Sequence, residues 1–163
     1  DVPQIIIENK TAAAGETVTV NLSVKNNPGF NAASIKIDYD TTRLRLIGAE
    51  LSEEFSNGTN VSYDNLPYLT FVRGSNIDSD TNMLTLTFEV LGAAVDGDAY
   101  ITLLYEAGNI SNIDEEDINF EIVDGKITVT DYLPGDINGD GNVNTKDLTR
   151  LLKYINHEDV EIF

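Results

Sequence analysis

The chain has 163 residues, enough for one full domain and a small appendage, with 28 acidic against 10 basic residues and a net charge of −18. Such a surface repels nucleic acid and anionic membranes, because phosphate binding needs clustered Lys and Arg, and no apolar run is long enough to insert into a bilayer. Cysteine is absent, so neither disulfides nor thiolate metal sites contribute, and the one histidine is His157.

Residues 1–131 read as β structure from end to end. Ile5-Ile6-Ile7 is a short apolar run, and after the Gly15-Glu16 turn Val18, Val20, Leu22 and Val24 alternate with polar residues. Asn26-Asn27-Pro28-Gly29 breaks the chain, and Ile35, Ile37 and Tyr39 then alternate with Ser34, Lys36 and Asp38. Leu44 and Leu46, Val61 and Tyr63, and Leu69 and Phe71 continue the period of two. So do Leu84 to Val90, Ile101 to Tyr105, and Ile127 and Val129. About nine short strands with Gly, Asn and Asp turns predict an all-β fold, a jelly-roll or Ig-like β-sandwich with buried inner and wet outer faces. This part carries 22 acidic and 7 basic residues, a balance of −15. Asp1 is not an initiator methionine: either a leader was removed or the chain was trimmed.

Near residue 131 the pattern changes, which divides the chain into a sandwich at 1–131 and a small unit at 132–163. Leu133-Pro134-Gly135 leads into Asp136-Ile137-Asn138-Gly139-Asp140-Gly141-Asn142-Val143-Asn144-Thr145-Lys146-Asp147. Asp136, Asn138 and Asp140 place short oxygen-bearing side chains at alternate positions, and Gly141 stands where the chain must turn around an ion. Asn142 offers its carbonyl, Asn144 ligates directly or through water, and Asp147 at the twelfth position reaches back with both carboxylate oxygens. A hard cation takes six to eight oxygens, so the spacing predicts an EF-hand-like loop for Ca2+. Leu148, Leu151, Leu152 and Ile155 then mark one apolar face of a helix. That stripe needs a cover. The short linker at Tyr132-Leu133-Pro134 favours the chain's own sandwich, and a homodimer through the helix is the next arrangement.

Gly135 to Leu148, followed by Leu151-Leu152-Lys153-Tyr154-Ile155, resembles one dockerin repeat, in which Asp at the twelfth position is usual. Dockerins carry two such repeats and the sequence shows one. The resemblance implies that Thr145, Lys146, Arg150 and Lys153 contact a cohesin. Residues 1–131 resemble a cohesin through Gly15-Glu16-Thr17-Val18-Thr19-Val20, Asn26-Asn27-Pro28-Gly29, Ile35-Lys36-Ile37-Asp38-Tyr39-Asp40 and Leu84 to Val90, in that order. A cohesin binds a dockerin through one sheet face built from its third, fifth, sixth and eighth strands. That implies a partner surface of Ser34, Lys36, Asp38, Ser62, Asp64, Thr70 and Val72, with Asn60 beside them. Where many cohesins carry an Asn and Asp pair early in the third strand, this chain has Ala32 and Ser34.

The expected function is a secreted, non-catalytic assembly module of a cellulosome-like complex, extracellular or at the cell surface. Its partners would bear dockerin or cohesin domains. Two other readings compete: carbohydrate binding, and a calcium-stabilised surface module with no cohesin partner. Carbohydrate binding needs exposed aromatics; Trp is absent, and Tyr63, Tyr68 and Tyr132 read as core or seam residues. No nucleophile motif, phosphate loop or histidine cluster supports an enzyme, and Glu53-Glu54 and Glu115-Glu116 read as surface charge.

Overall fold

The computed structural model describes residues 1–57, 59–62, 66–130, 135–138, 143–156 and 162, with backbone alone at 61 and 62. In chain order the strands are β1 (Gln4–Ile7), β2 (Lys10–Ala13), β3 (Thr17–Lys25), β4 (Phe30–Tyr39), β5 (Leu44–Leu51) and β6 (Thr59–Ser62). They continue as β7 (Tyr68–Ile77), β8 (Asn82–Val90), β9 (Gly97–Leu104), β10 (Ile110–Ser111), β11 (Glu121–Val123) and β12 (Gly125–Thr130). A one-turn helix α1 (Glu53–Ser56) precedes β6, and α2 (Thr145–Ile155) follows the sandwich.

Five strands form one sheet in the order β11–β1–β3–β8–β5. The other sheet has seven, in the order β2–β12–β9–β4–β7–β6, with β10 paired to β4. The nine expected strands are all present; the three not anticipated are β2, β10 and β11. The helix α1 was not anticipated either. It exists to seat Phe55, which is fully buried against Phe30 and Phe71 with ring centroids 5.7 and 6.3 Å away, while Glu53 and Glu54 stay outside.

Alternation builds the core. Val20, Leu22 and Val24 of β3 and Leu84, Leu86, Phe88 and Val90 of β8 face Ile35 and Ile37 of β4, Leu69 and Phe71 of β7, and Ile101 and Leu103 of β9. Full burial of each such side chain stabilises the fold by about 1.5–3 kcal/mol, which fixes the register, since a one-residue slip would turn the whole set outward.

The chain changes sheets between β1 and β2, at Glu8-Asn9. Gly125 opens β12 directly against that corner. A Cβ there would lie 2.4 Å from Ile7 Cγ2 and 2.8 Å from the Glu8 carbonyl oxygen, so the crossing has room only for glycine. Next to it, the Lys126 N–H donates to Asn9 Oδ1 at 3.0 Å.

Among the described residues the expected cover of the α2 stripe by the sandwich is not made. Leu148, Leu152 and Ile155 are exposed, and Leu151 is half-buried. The helix is anchored by its own N-terminal cap. Asn144 Oδ1 accepts the Lys146 N–H at 2.9 Å and Asp147 Oδ2 accepts the Asn144 N–H at 2.6 Å, a reciprocal capping box.

Candidate functional site

The seven-stranded sheet brings together the strands counted third, fifth, sixth and eighth in the sequence. They are β4, β6, β7 and β9, which lie side by side in the order β9–β4–β7–β6. Pairing sets their residues in rows. Ser34 stands opposite Thr70, which stands opposite Ser62; Lys36 lies between Tyr68 and Leu104; Asp38 is opposite Thr102. Ser34 Oγ and Thr70 Oγ1 are 3.2 Å apart, and Lys36 Nζ donates to Asp38 Oδ1 at 2.9 Å. That carboxylate raises the Lys36 ammonium above its ordinary pKa. Ser34, Asp38, Asn60, Thr70 and Val72 are exposed and Lys36 is half-exposed. Asp64 and the Ser62 side chain lie outside the described residues.

The face carries more apolar surface than the sequence suggested. Tyr68, expected in the core or a hydrophobic seam, is 53% exposed, because β7 alternates it outward while Leu69 and Phe71 point in. Tyr100, at 62%, and Leu104 are exposed on β9. They share the outward phase of β9 with Asp98 and Thr102, while Ala99, Ile101 and Leu103 carry the inward one. At the start of β9, Asp98 accepts from Lys126 Nζ at 2.6 Å and from Thr128 Oγ1 at 2.7 Å on the neighbouring β12. The Lys126 contact first, then the Thr128 hydroxyl, hold Asp98 below the ordinary carboxyl value.

The second cluster is the loop before α2. Asp136 and Asp147 are 8% and 3% exposed, rare burial for carboxylates. Asp147 Oδ1 accepts the N–H groups of Ile137 at 2.9 Å and Asn138 at 3.2 Å, and a hydrogen bond also links its side chain to Asp136. The Asn144 N–H is the largest influence on Asp147 and lowers its pKa; burial opposes it, and the N–H groups of Asn138 and Ile137 reinforce it. Asp136 and Asp147 are thus two adjacent buried carboxylates, and carboxylate oxygens are the donors a hard cation prefers. Asp140, Gly141 and Asn142 lie outside the described residues, and among the described ones no group of three His, Cys, Asp or Glu gathers. Lys146, Arg150 and Lys153 recur four and three residues apart along one ridge of α2, and together with Thr149 and Asn138 they line a shallow groove. Thr145 is exposed at the start of the helix.

A rigid sandwich with an outward face that mixes hydroxyls, charges and exposed rings, joined to a carboxylate loop and a basic helix, defines a protein–protein recognition module. The sequence model of the cohesin domain matches residues 3–129, and that of the dockerin type I domain matches residues 134–162. The chain belongs to the cohesin domain family and carries a dockerin type I segment after it. The fold is similar to that of a chain from a type I cohesin–dockerin complex of Clostridium thermocellum, at 20% identity and a TM-score of 0.68, over 80% of this chain and 100% of that one. It is also similar to the seventh type I cohesin of a Pseudobacteroides cellulosolvens protein, at 22% identity and a TM-score of 0.66, over 82% and 95% of the two chains. A non-cellulosomal cohesin from the archaeon Archaeoglobus fulgidus shares the fold at 15% identity and a TM-score of 0.66, over 80% and 92%. No curated protein matches the chain. Cohesins and dockerins are non-catalytic assembly modules typical of extracellular cellulosomes, and dockerin type I domains bind calcium. The chain is an assembly module of this type, with partners that bear dockerin or cohesin domains. Among the described residues no helix is long and apolar enough to cross a membrane.

Proposed function

We propose that this chain is a secreted adaptor without catalytic activity of its own, and that its two recognition elements face different partners. The outer face of β9–β4–β7–β6 receives a dockerin through Ser34, Lys36, Asp38, Ser62, Asp64, Thr70 and Val72. The unit at 132–163 engages a cohesin through Thr145, Lys146, Arg150 and Lys153. The observation that carries the reading is the exposure of Tyr68, Val72 and Leu104 among hydroxyl and charged side chains on one sheet. Such a face supplies apolar anchors and a polar rim.

Calcium orders the second element. Asp136, Asn138, Asp140, the Asn142 carbonyl, Asn144 and Asp147 would hold it, and the ion would neutralise carboxylates that otherwise repel one another. The adjacent burial of Asp136 and Asp147 supports this. Calorimetric titration with a panel of type I dockerins tests the sandwich face. One member binds, and Val72→Glu weakens it with the melting temperature unchanged. Heat from a dockerin that survives Val72→Glu together with Asp38→Lys would place the binding surface elsewhere.

A further inference from the structure

The outer face of the seven-stranded sheet is interrupted by a recess of about 340 Å3 where β9 ends, lined among others by Lys36, Tyr68, Leu104, Glu106 and Asn109. The turn that forms one wall is tied down at its backbone. Tyr105 Oη donates to the Phe120 carbonyl and accepts the Phe120 N–H, both at 2.7 Å. The Asn109 N–H donates to the Glu106 carbonyl at 3.0 Å, and the Ser34 N–H donates to the Asn109 carbonyl at 2.7 Å. Glu106 therefore sits on a preformed rim with its side chain exposed.

The charges around the recess are unequally satisfied. Lys36, the cation that lines it, is taken by Asp38 at 2.9 Å. Glu106 makes no ion pair among the described residues. An apolar wall of Tyr68 and Leu104 ending at an uncompensated carboxylate matches one kind of occupant, a long aliphatic stem tipped with a cation. Lysine and arginine bury their methylenes along such walls while the charged head meets the rim, and an aromatic ring beside the stem adds attraction to the cation.

We infer that this recess anchors a lysine or arginine from the helix of the bound dockerin, with Glu106 as a specificity-determining residue. The inference rests on the reading of the sheet face given above and adds the chemistry of its partner. The α2 ridge of this same chain, with Lys146, Arg150 and Lys153, shows that a dockerin-type helix can present such cations in a row.

The probe is a purified type I dockerin that binds the wild-type chain, measured by calorimetry at low and moderate salt. Glu106→Lys weakens binding by about tenfold or more, and Glu106→Gln weakens it less and flattens the salt dependence. One Lys→Met or Arg→Met substitution in the dockerin helix then costs affinity against wild type and nothing further against Glu106→Gln. Both variants should melt like wild type, and if Glu106→Lys does not, Glu106→Gln carries the comparison. If Glu106→Gln and Glu106→Lys bind unchanged while Val72→Glu weakens, the inference is overturned and the face stands. If no type I dockerin binds the chain, the face and the inference fall together.

Discussion

Replacing Gly125 by alanine tests the sheet-crossing corner that holds the two layers in register. The new methyl would meet Ile7 Cγ2 at 2.4 Å, Ile7 Cβ at 2.9 Å and the Glu8 carbonyl oxygen at 2.8 Å. The first contact belongs to a side chain locked in the core, because Ile7 is 2% exposed, and the last belongs to backbone. Neither relaxes by rotation alone, so β1 and β12 must separate by several tenths of an ångström. Overpacking of this kind costs about 1–3 kcal/mol. The entropy lost from the unfolded chain returns about 0.4–1 kcal/mol, leaving a net loss of roughly 1–2 kcal/mol. For a chain of this size that is a fall of about 2–8 °C in melting temperature. Gly74 on β7 is the control, since a Cβ there meets nothing within 4 Å and its φ is not positive. Gly74→Ala should be neutral or stabilising in urea unfolding. If Gly125→Ala is as stable as Gly74→Ala, the corner is not tightly packed and the reasoning fails.

Other outcomes follow from the same structure. Calcium titration of the chain should release heat, and Asp136→Ala or Asp147→Ala should remove it; an unchanged signal in both would dismiss the loop as a cation site. Phe30→Ala should cost about 3–5 kcal/mol by urea unfolding, because the ring is fully buried and meets Phe55, Phe71 and Phe120 at 5.7, 6.0 and 5.3 Å. Asp40 is held below its ordinary pKa of 3.8, first by the Thr42 hydroxyl and then by Arg43, with burial opposing. A depressed carboxyl stabilises the fold above its unfolded pKa and loses that contribution as pH falls through the folded one. The stability gap between wild type and Asp40→Asn should therefore be full above the ordinary carboxyl value and shrink as pH falls below it; a gap independent of pH would refute it.

The sandwich was legible because β3, most of β4, and β8 alternate cleanly, with large apolar residues on one side and Ser, Thr, Asn or charge on the other. β2 was missed because Lys10-Thr11-Ala12-Ala13 has no large apolar residue, yet its parallel pairing with β12 buries both alanines. β10 and β11 are too short to show a period. Ser34, Lys36 and Asp38 could be assigned outward from β4 alone. Tyr100 and Leu104 lie in the outward phase of β9 with Asp98 and Thr102, but two apolar residues there carry no polar mark of an outer face. Glu106 carried no signal, since its role comes from a turn brought beside β4 by a hydrogen bond from Ser34 to a residue 75 positions later. In the loop, oxygen spacing suggested a donor set, whereas the capping of Asp147 by three backbone N–H groups is a tertiary fact with no period to read.

The central claim is that the outer side of the seven-stranded sheet is the recognition surface. Amide chemical-shift mapping of the 15N-labelled chain, titrated with a type I dockerin that binds it, tests this most directly. The account predicts shifts concentrated on β4, β7 and β9 and in the turn at 105–109, with β1, β3 and β5 unmoved. Shifts concentrated on the five-stranded sheet, with β4 and β7 silent, would contradict it.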